Sequence, residues 1–294
     1  MTETPLFSIV IPTYNHAHLL RRCLDSIVFQ TYSNWEVIVV NNFSEDNTIE
    51  VVESYNDSRI HLINNSNNGI IAVSRNKGIS ESQGEWICFL DSDDWWKHNK
   101  LEACLPYLKD YDFIYHDLCI FRESGKKYGS RSVLAGRSVN PESPIADVFI
   151  NGNPIFNSTV VLRKTVIDAV GHITEQQEFI AVEDMDYWIR VMLYTKKHKY
   201  ISQLLGYYYI GGNISASLKQ IDRLNALYEK YKLTLTSFEQ ERTQLYLNYY
   251  FARIYHMNGK FDEAKIKYIY SIKERYNLVK SIIGCILLIL NRKY

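Results

Sequence analysis

The chain has 294 residues, 46% of them hydrophobic and 22% charged, which is enough apolar material for a large core and excludes a disordered protein. Lys+Arg and Asp+Glu both number 33, so the net charge is zero. The balance is uneven: residues 216–294 carry 14 basic and 7 acidic side chains, leaving 19 and 26 for residues 1–215. A basic tail behind an acidic front points to an anionic surface facing the tail, a membrane rather than nucleic acid.

From the N-terminus the pattern alternates strand and helix. Phe7–Ile11 predicts a strand and His16–Gln30 an amphipathic helix; Trp35–Val40 predicts a second strand, with a helix over Asp46–Tyr55 after Ser44. Arg59–Ile63 is strand-like and Ile70–Ser82 helical. Trp86–Leu90 is a bulky, partly aromatic buried strand, and Lys97–Lys109 is a further helix. This order predicts an α/β fold with a largely parallel sheet covered by helices on both faces. Past Asp112 the pattern is irregular, with strands over Phe113–Phe121 and Ser158–Leu162 and loops over Asn140–Pro144 and Asn151–Pro154. Glu183–Tyr194 predicts a helix with Glu183 and Asp184 in its first turn.

From about Ala216 the chain is helical and rich in tyrosine, so we divide it into residues 1–215 and a helical region 216–294. Tyr250-x-Ala252 with Gly259-Lys260-Phe261-x-x-Ala264 resembles one tetratricopeptide-like hairpin. The tyrosines read as helix–helix contacts, with stacking surfaces for sugar rings as the alternative. Leu278–Leu290 is apolar apart from Lys280, Ser281 and Gly284, and Arg292-Lys293 follow. It is too short to span a bilayer; it predicts either a helix in the membrane interface or one buried on the core.

The five cysteines show no paired metal-ligand spacing, as expected of reduced structural thiols. Glu3 stands where a secretory signal would be basic, and the first apolar stretch breaks at Pro12. The expected location is the cytoplasm, with peripheral contact at the inner membrane.

Ligands of parallel sheets bind at the carboxyl ends of the strands. Three polar clusters fall there: Thr13-Tyr14-Asn15, Asn41-Asn42 and Asp91-Ser92-Asp93-Asp94. In an extended segment residues i and i+2 point the same way, so Asp91 and Asp93 would converge on one point. Two converging carboxylates suit a hard divalent cation that shares its oxygen ligands with a diphosphate. A solvated acidic loop with a helix N-cap is the competing reading.

Taken in order, these clusters resemble the family 2 glycosyltransferases with the GT-A fold. The resemblance runs through Ser8-Ile9-Val10-Ile11-Pro12-Thr13-Tyr14-Asn15, Gln30-Thr31-Tyr32 and Val39-Val40-Asn41-Asn42-Phe43-Ser44-Glu45-Asp46-Asn47-Thr48. It continues at Asn68-Gly69, Ser74-Arg75-Asn76-Lys77-Gly78, Gly84-Glu85 and Phe89-Leu90-Asp91-Ser92-Asp93-Asp94, and ends on Glu183-Asp184 with Trp188 and Arg190. It covers the first two thirds of the chain and implies an inverting transferase acting from a nucleotide-diphosphate sugar, UDP-sugar favoured, to a saccharide acceptor. It places Pro12 and Tyr14 against the nucleotide, Asn42 at the nucleobase edge and Arg75 near the nucleotide. Asp91, with Ser92, would reach the ribose or metal, and Asp93 would bind Mn²⁺ or Mg²⁺. Asp184 would be the general base, supported by Glu183; without the resemblance it would read as a helix-dipole partner.

A lipid-linked acceptor, as in bacterial surface polysaccharide assembly, would account for the basic, apolar tail. The chain departs from the family in carrying Asn41-Asn42-Phe43 where Asp-Asp-Gly is usual. It also lacks the Arg and His that many relatives carry near Tyr207–Asn213. Two alternatives stay open: a glycosyltransferase-like scaffold without catalysis, and a haloacid-dehalogenase-like phosphatase. The phosphatase is disfavoured by Trp95 after Asp93-Asp94 and by a motif that follows three βα units.

Overall fold

Phe7–Thr13 (β1) and Trp35–Asn41 (β2) are buried at every position, which is why their sequences are mostly β-branched and aromatic rather than alternating, with Ser8 and Glu36 hydrogen-bonded to each other. This computed structural model describes residues 4–122, 132–211 and 217–290. Glu3, Gly212, Asn213, Ala216, Arg292 and Lys293, singled out above, lie outside the described residues.

β1 pairs in parallel with β2 from Phe7 opposite Trp35 to Thr13 opposite Asn41. On its other side it pairs with Trp86–Phe89 (β4), from Phe7 opposite Trp86 to Val10 opposite Phe89. Ile60–Asn64 (β3) lies parallel to β2 at the edge. Helices Ala17–Val28 (α1), Thr48–Glu53 (α2) and Ile71–Glu81 (α3) connect these strands. α1 turns Leu19, Leu20, Cys23, Leu24 and Ile27 inward, one stripe at helical spacing. α3 lies so close to β1 that a Cβ on Gly78 would sit 2.3 Å from Val10 Cγ1, so a larger residue would push the helix off the sheet.

This half is parallel, as expected. The other half is mixed: beyond β4 the sheet continues through Val161–Arg163, Phe113–Arg122, His198–Ile210 and Trp95–Trp96, in that order. Its strands are Trp95–Trp96 (β5), Phe113–Arg122 (β6), Val133–Leu134 (β7, paired with β6), Val161–Arg163 (β8) and His198–Ile210 (β9). β8 runs antiparallel to both β4 and β6, while β9 runs parallel to β6 and antiparallel to β5. The 13-residue β9 has no counterpart in the sequence reading. Its register with β6 shifts around His116, Asp117 and Leu118, and such irregularity disrupts the alternation that marks a strand.

The helix expected over Lys97–Lys109 shortens to Lys100–Cys104 (α4), followed by a 3₁₀ turn at Leu105–Tyr107 where Pro106 lacks a backbone donor. Pro144–Asn151 (α5) and Lys164–Val170 (α6) are additional helices, and Glu183–Tyr194 (α7) spans the residues expected.

The chain divides into two compact units. The first comprises Met1–Pro141, Pro154–Gln177 and Glu183–Gly211 and holds the sheet. The second comprises Glu142–Asn153, Glu178–Val182 and Gly212–Tyr294. It contains α5 and the helices Lys219–Tyr231 (α8), Ser237–Met257 (α9), Phe261–Lys273 (α10) and Leu278–Ile289 (α11). α9 starts in a capping box between Thr236 and Glu239 and packs on α10 through buried Ala252 and Ala264, with Tyr249, Tyr268 and Leu288 in the same core. Those tyrosines are packing residues. Among the described residues no helix is long and apolar enough to cross a membrane, and all five cysteines are free.

Candidate functional site

The chain leaves β4 beside β1, where Leu90 N donates to Val10 O (3.1 Å), and turns at once: Asp94 N donates to Asp91 O at 3.0 Å. Asp91–Asp94 is therefore a four-residue turn, not the extended segment from which convergence of Asp91 and Asp93 was expected. Tertiary bonds hold it. Asp94 is buried, its Oδ2 accepting from Ser158 Oγ (2.6 Å) and its Oδ1 from the Tyr209 N–H (2.9 Å). Ser158 Oγ also accepts from Asp91 N (3.2 Å), and Ser92 Oγ bonds His16 Nδ1 (2.9 Å). Arg22 donates from Nη2 to Asp93 O (2.9 Å), with its guanidinium 3.6 Å from the Trp95 ring centre. This bracing leaves the Asp91 and Asp93 side chains partly exposed and Asp94 as a structural tie.

Beneath the turn lies Arg75, only 3% exposed. Its Nη2 donates to Asp91 Oδ1 (2.9 Å) and its Nη1 to Glu183 Oε1 (2.7 Å). The Asn157 amide, oriented by its hydrogen-bond partners, accepts from Nη2 at 2.6 Å and Nη1 at 3.2 Å. Burial works against the cation, but Asp91 and Glu183 outweigh it and hold the guanidinium firmly charged. Arg75 thus sits under the site rather than open to it, and it joins the β4 turn to the start of α7, reaching Glu183 108 residues further along the chain.

The first turn of α7 carries Glu183, Asp184 and Asp186. Glu183 is buried against Arg75, whereas Asp184 is partly exposed and accepts from Met185 N (2.7 Å) through Oδ1. Burial, reinforced by Glu183 and opposed by Arg75, pushes the Asp184 carboxyl up to about 7. Burial and the neighbouring Asp91 push Asp93 up to about 6. Burial, then the charges of Asp94, Asp91 and Asp93, also raise the Tyr208 phenol, which places that hydroxyl in the field of the same carboxylates. Trp188 and Arg190 hold the helix in place. Trp188 stacks on Phe113 (5.3 Å), and Arg190 pairs with Asp186 (2.9 Å) and caps the Val170 and His172 carbonyls.

Among the described residues no three His, Cys, Asp or Glu side chains form a metal-binding group by themselves. Asp91 and Asp93 offer two carboxylates, each raising the cost of ionising Asp94 between them and the sheet. An all-oxygen pair of this kind fits Mg²⁺ or Mn²⁺ when the remaining ligands come from a diphosphate.

At the ends of β1 and β2, Pro12 is buried inside β1 and Tyr14 is 51% exposed. Asn41 is fully buried and braces its own loop: its Nδ2 donates to Asn64 Oδ1 (2.8 Å) and its Oδ1 accepts from the Ser44 N–H (3.1 Å) and Oγ (2.6 Å). Asn42 accepts from Asn67 N (2.9 Å) through Oδ1. Asp46 accepts from Ala17 N (2.9 Å) at the start of α1. Phe43, 60% exposed, holds a φ of 53°, the left-handed conformation that favours glycine and strains a bulky side chain.

Asp91, Ser92, Asp93, Glu183, Asp184 and Arg75 thus come together, while Pro12, Tyr14 and Asn42 lie at the ends of the neighbouring strands. Sequence reasoning missed Arg22, Asn157, Ser158 and Tyr208. Nothing local distinguishes an arginine in a helix or a serine in a short turn; only their tertiary partners do.

Residues 8–171 match glycosyl transferase family 2. Over 189 residues, 64% of this chain and 70% of the other, the sequence is 31% identical to the UDP-Glc:alpha-D-GlcNAc-diphosphoundecaprenol beta-1,3-glucosyltransferase WfgD of Escherichia coli. Residues 1–349 of S. aureus TarS, solved with UDP-GlcNAc, align with a TM-score of 0.60 at 16% identity, covering 98% of this chain and 93% of that one. The chain spans 43% of a longer TarS structure. The mannosyltransferase PcManGT of Pyrobaculum calidifontis, solved with GDP-Man and Mn²⁺, aligns with a TM-score of 0.58 at 14% identity, covering 92% of this chain and 76% of that one.

Proposed function

The chain belongs to glycosyl transferase family 2 and has the GT-A fold; on that premise we propose that it transfers a sugar, with inversion, from a nucleotide-diphosphate sugar to a hydroxyl of a glycan or lipid-linked saccharide. UDP-sugars are the favoured donors, since the E. coli relative is named for UDP-Glc and the TarS structure holds UDP-GlcNAc. The undecaprenol-linked acceptor in the relative's name supports a lipid-linked acceptor at the inner face of a membrane, in surface polysaccharide synthesis. Transfer would belong to residues 1–215, with 216–294 as the appended helical region. Family membership leaves the phosphatase alternative without support.

One observation carries the reading. Arg75 bonds Asp91 and Glu183 at once, which ties the aspartate turn to the first turn of α7 and supports reading them as parts of one site. Pro12, Tyr14 and Asn42 would receive the nucleotide at the strand ends. Asp91 and Asp93 would hold Mn²⁺ or Mg²⁺, which when bound would neutralise the departing diphosphate. Asp184 takes the proton of the acceptor hydroxyl as that oxygen bonds the anomeric carbon. The bond to the diphosphate breaks in line, with its electron pair leaving on the nucleotide. Glu183, engaged by Arg75, is a positioning group.

Calorimetric titration of UDP-, GDP-, CMP- and dTDP-sugars, with and without Mn²⁺, tests this. The expected result is metal-dependent binding of one nucleotide sugar that Asp93→Ala abolishes. Binding by none of them, or binding indifferent to both metal and Asp93, would refute the donor site.

A further inference from the structure

α11 packs the wrong way round for a core helix. Its inward stripe is Ser281, Gly284 and Leu288, of which Ser281 is fully buried and Leu288 is 9% exposed. The glycine is required: a Cβ there would lie 2.5 Å from the Tyr268 ring on α10. With its small residues spent on seating the helix, α11 turns most of its aliphatic side chains outward. Val279 is 69% exposed, Ile283 46%, Ile286 50% and Ile289 82%, with Ile282 and Leu290 beside them. Single exposed aliphatics are ordinary on a protein surface, whereas a contiguous stripe along a whole helix marks a binding surface.

The charge says what it binds. α11 carries Lys280 as its one charged side chain, and residues 273–294 hold five basic residues (Lys273, Arg275, Lys280, Arg292, Lys293) against Glu274. Apolar side chains on one face, with cations before and after the helix in the sequence, suit a helix lying in the interface of an anionic bilayer. At 12 residues α11 is about 18 Å long, too short to cross one. A second copy fits worse, because it would bring two sets of these cations together. We propose that the outward face of α11 is a docking surface for an anionic lipid bilayer. This deepens the membrane-side reading above by naming the surface, and its readout is lipid binding alone, so it stands or falls separately from donor binding.

The test is flotation of the full chain with phosphatidylcholine vesicles containing or lacking phosphatidylglycerol. The full chain should float with the anionic vesicles and release as salt is raised. Ile283→Ser with Ile286→Ser should weaken the partition on the order of tenfold, about 1.4 kcal/mol. Lys280→Glu should weaken it several-fold and only on phosphatidylglycerol. These positions are exposed, and unchanged thermal melts will show that the variants fold. Equal flotation of the double variant and the full chain would overturn the proposal. So would absence of flotation together with a concentration-dependent dimer, in sedimentation velocity, that the double variant loses.

Discussion

Replacing Asp184 with asparagine separates proton transfer from binding. Burial and Glu183 push the Asp184 carboxyl up to about 7, so near neutral pH it is poised to accept a proton. The wild-type rate should fall about tenfold per pH unit below that value and level off above it. Asparagine keeps the size but cannot take the proton, so kcat should fall by about 10²–10⁴ while donor affinity stays within about twofold. Glu183→Gln should behave differently, because it strips the Arg75 guanidinium of a buried partner and so disturbs stability and donor binding along with rate.

The same carboxyl makes a stability prediction. A raised folded pKa means that protonated Asp184 favours the fold. This contribution is complete below the ordinary aspartate value and is lost as pH rises through about 7. Asp184→Asn should therefore unfold later in urea than wild type at pH 8, by about 1–2 kcal/mol, and equally at pH 4. The assay is release of the nucleoside diphosphate from donor plus acceptor between about pH 5 and 9. A wild-type break near the ordinary aspartate value, or an Asp184→Asn enzyme within tenfold of wild type, would refute proton transfer to Asp184.

Arg75→Ala leaves Asp91 and Glu183 without their shared counter-charge and should destabilise the protein by about 3–5 kcal/mol in urea unfolding. Arg22→Ala removes a stacked cation from Trp95 and a donor from Asp93 O; a loss of about 2 kcal/mol and weaker metal-dependent donor binding by calorimetry are expected. Phe43→Gly relieves a left-handed residue whose ring is mostly exposed, and it should raise urea stability by about 0.5–1 kcal/mol.

Local pattern was sufficient for the parallel half of the sheet. The largely apolar runs of β1, β2 and β4 stop where the strands end, so the polar clusters after Thr13, Asn41 and Leu90 were legible as lying at the carboxyl ends of the parallel strands. The α7 start was equally legible, from Glu183 and Asp184 in its first turn.

What distant residues decide was not legible. β9 is a strand because β6 and β5 accept its backbone, despite an irregular register. Asp94 became a structural tie, and Asp91 and Asp93 the open pair, only once Ser158 and the Tyr209 N–H arrived from other parts of the chain. The turn itself displaced the extended geometry that spacing suggested, because its bonds to Arg22 and Ser158 outweigh local strand preference. α11 makes the same point. Its composition predicts an apolar helix but not which face is covered, and that was settled by a tyrosine on α10 that leaves room only for glycine. Sequence periodicity records which residues must leave water, whereas the partners that hold a charge or choose a face are set by contacts between segments far apart in the chain.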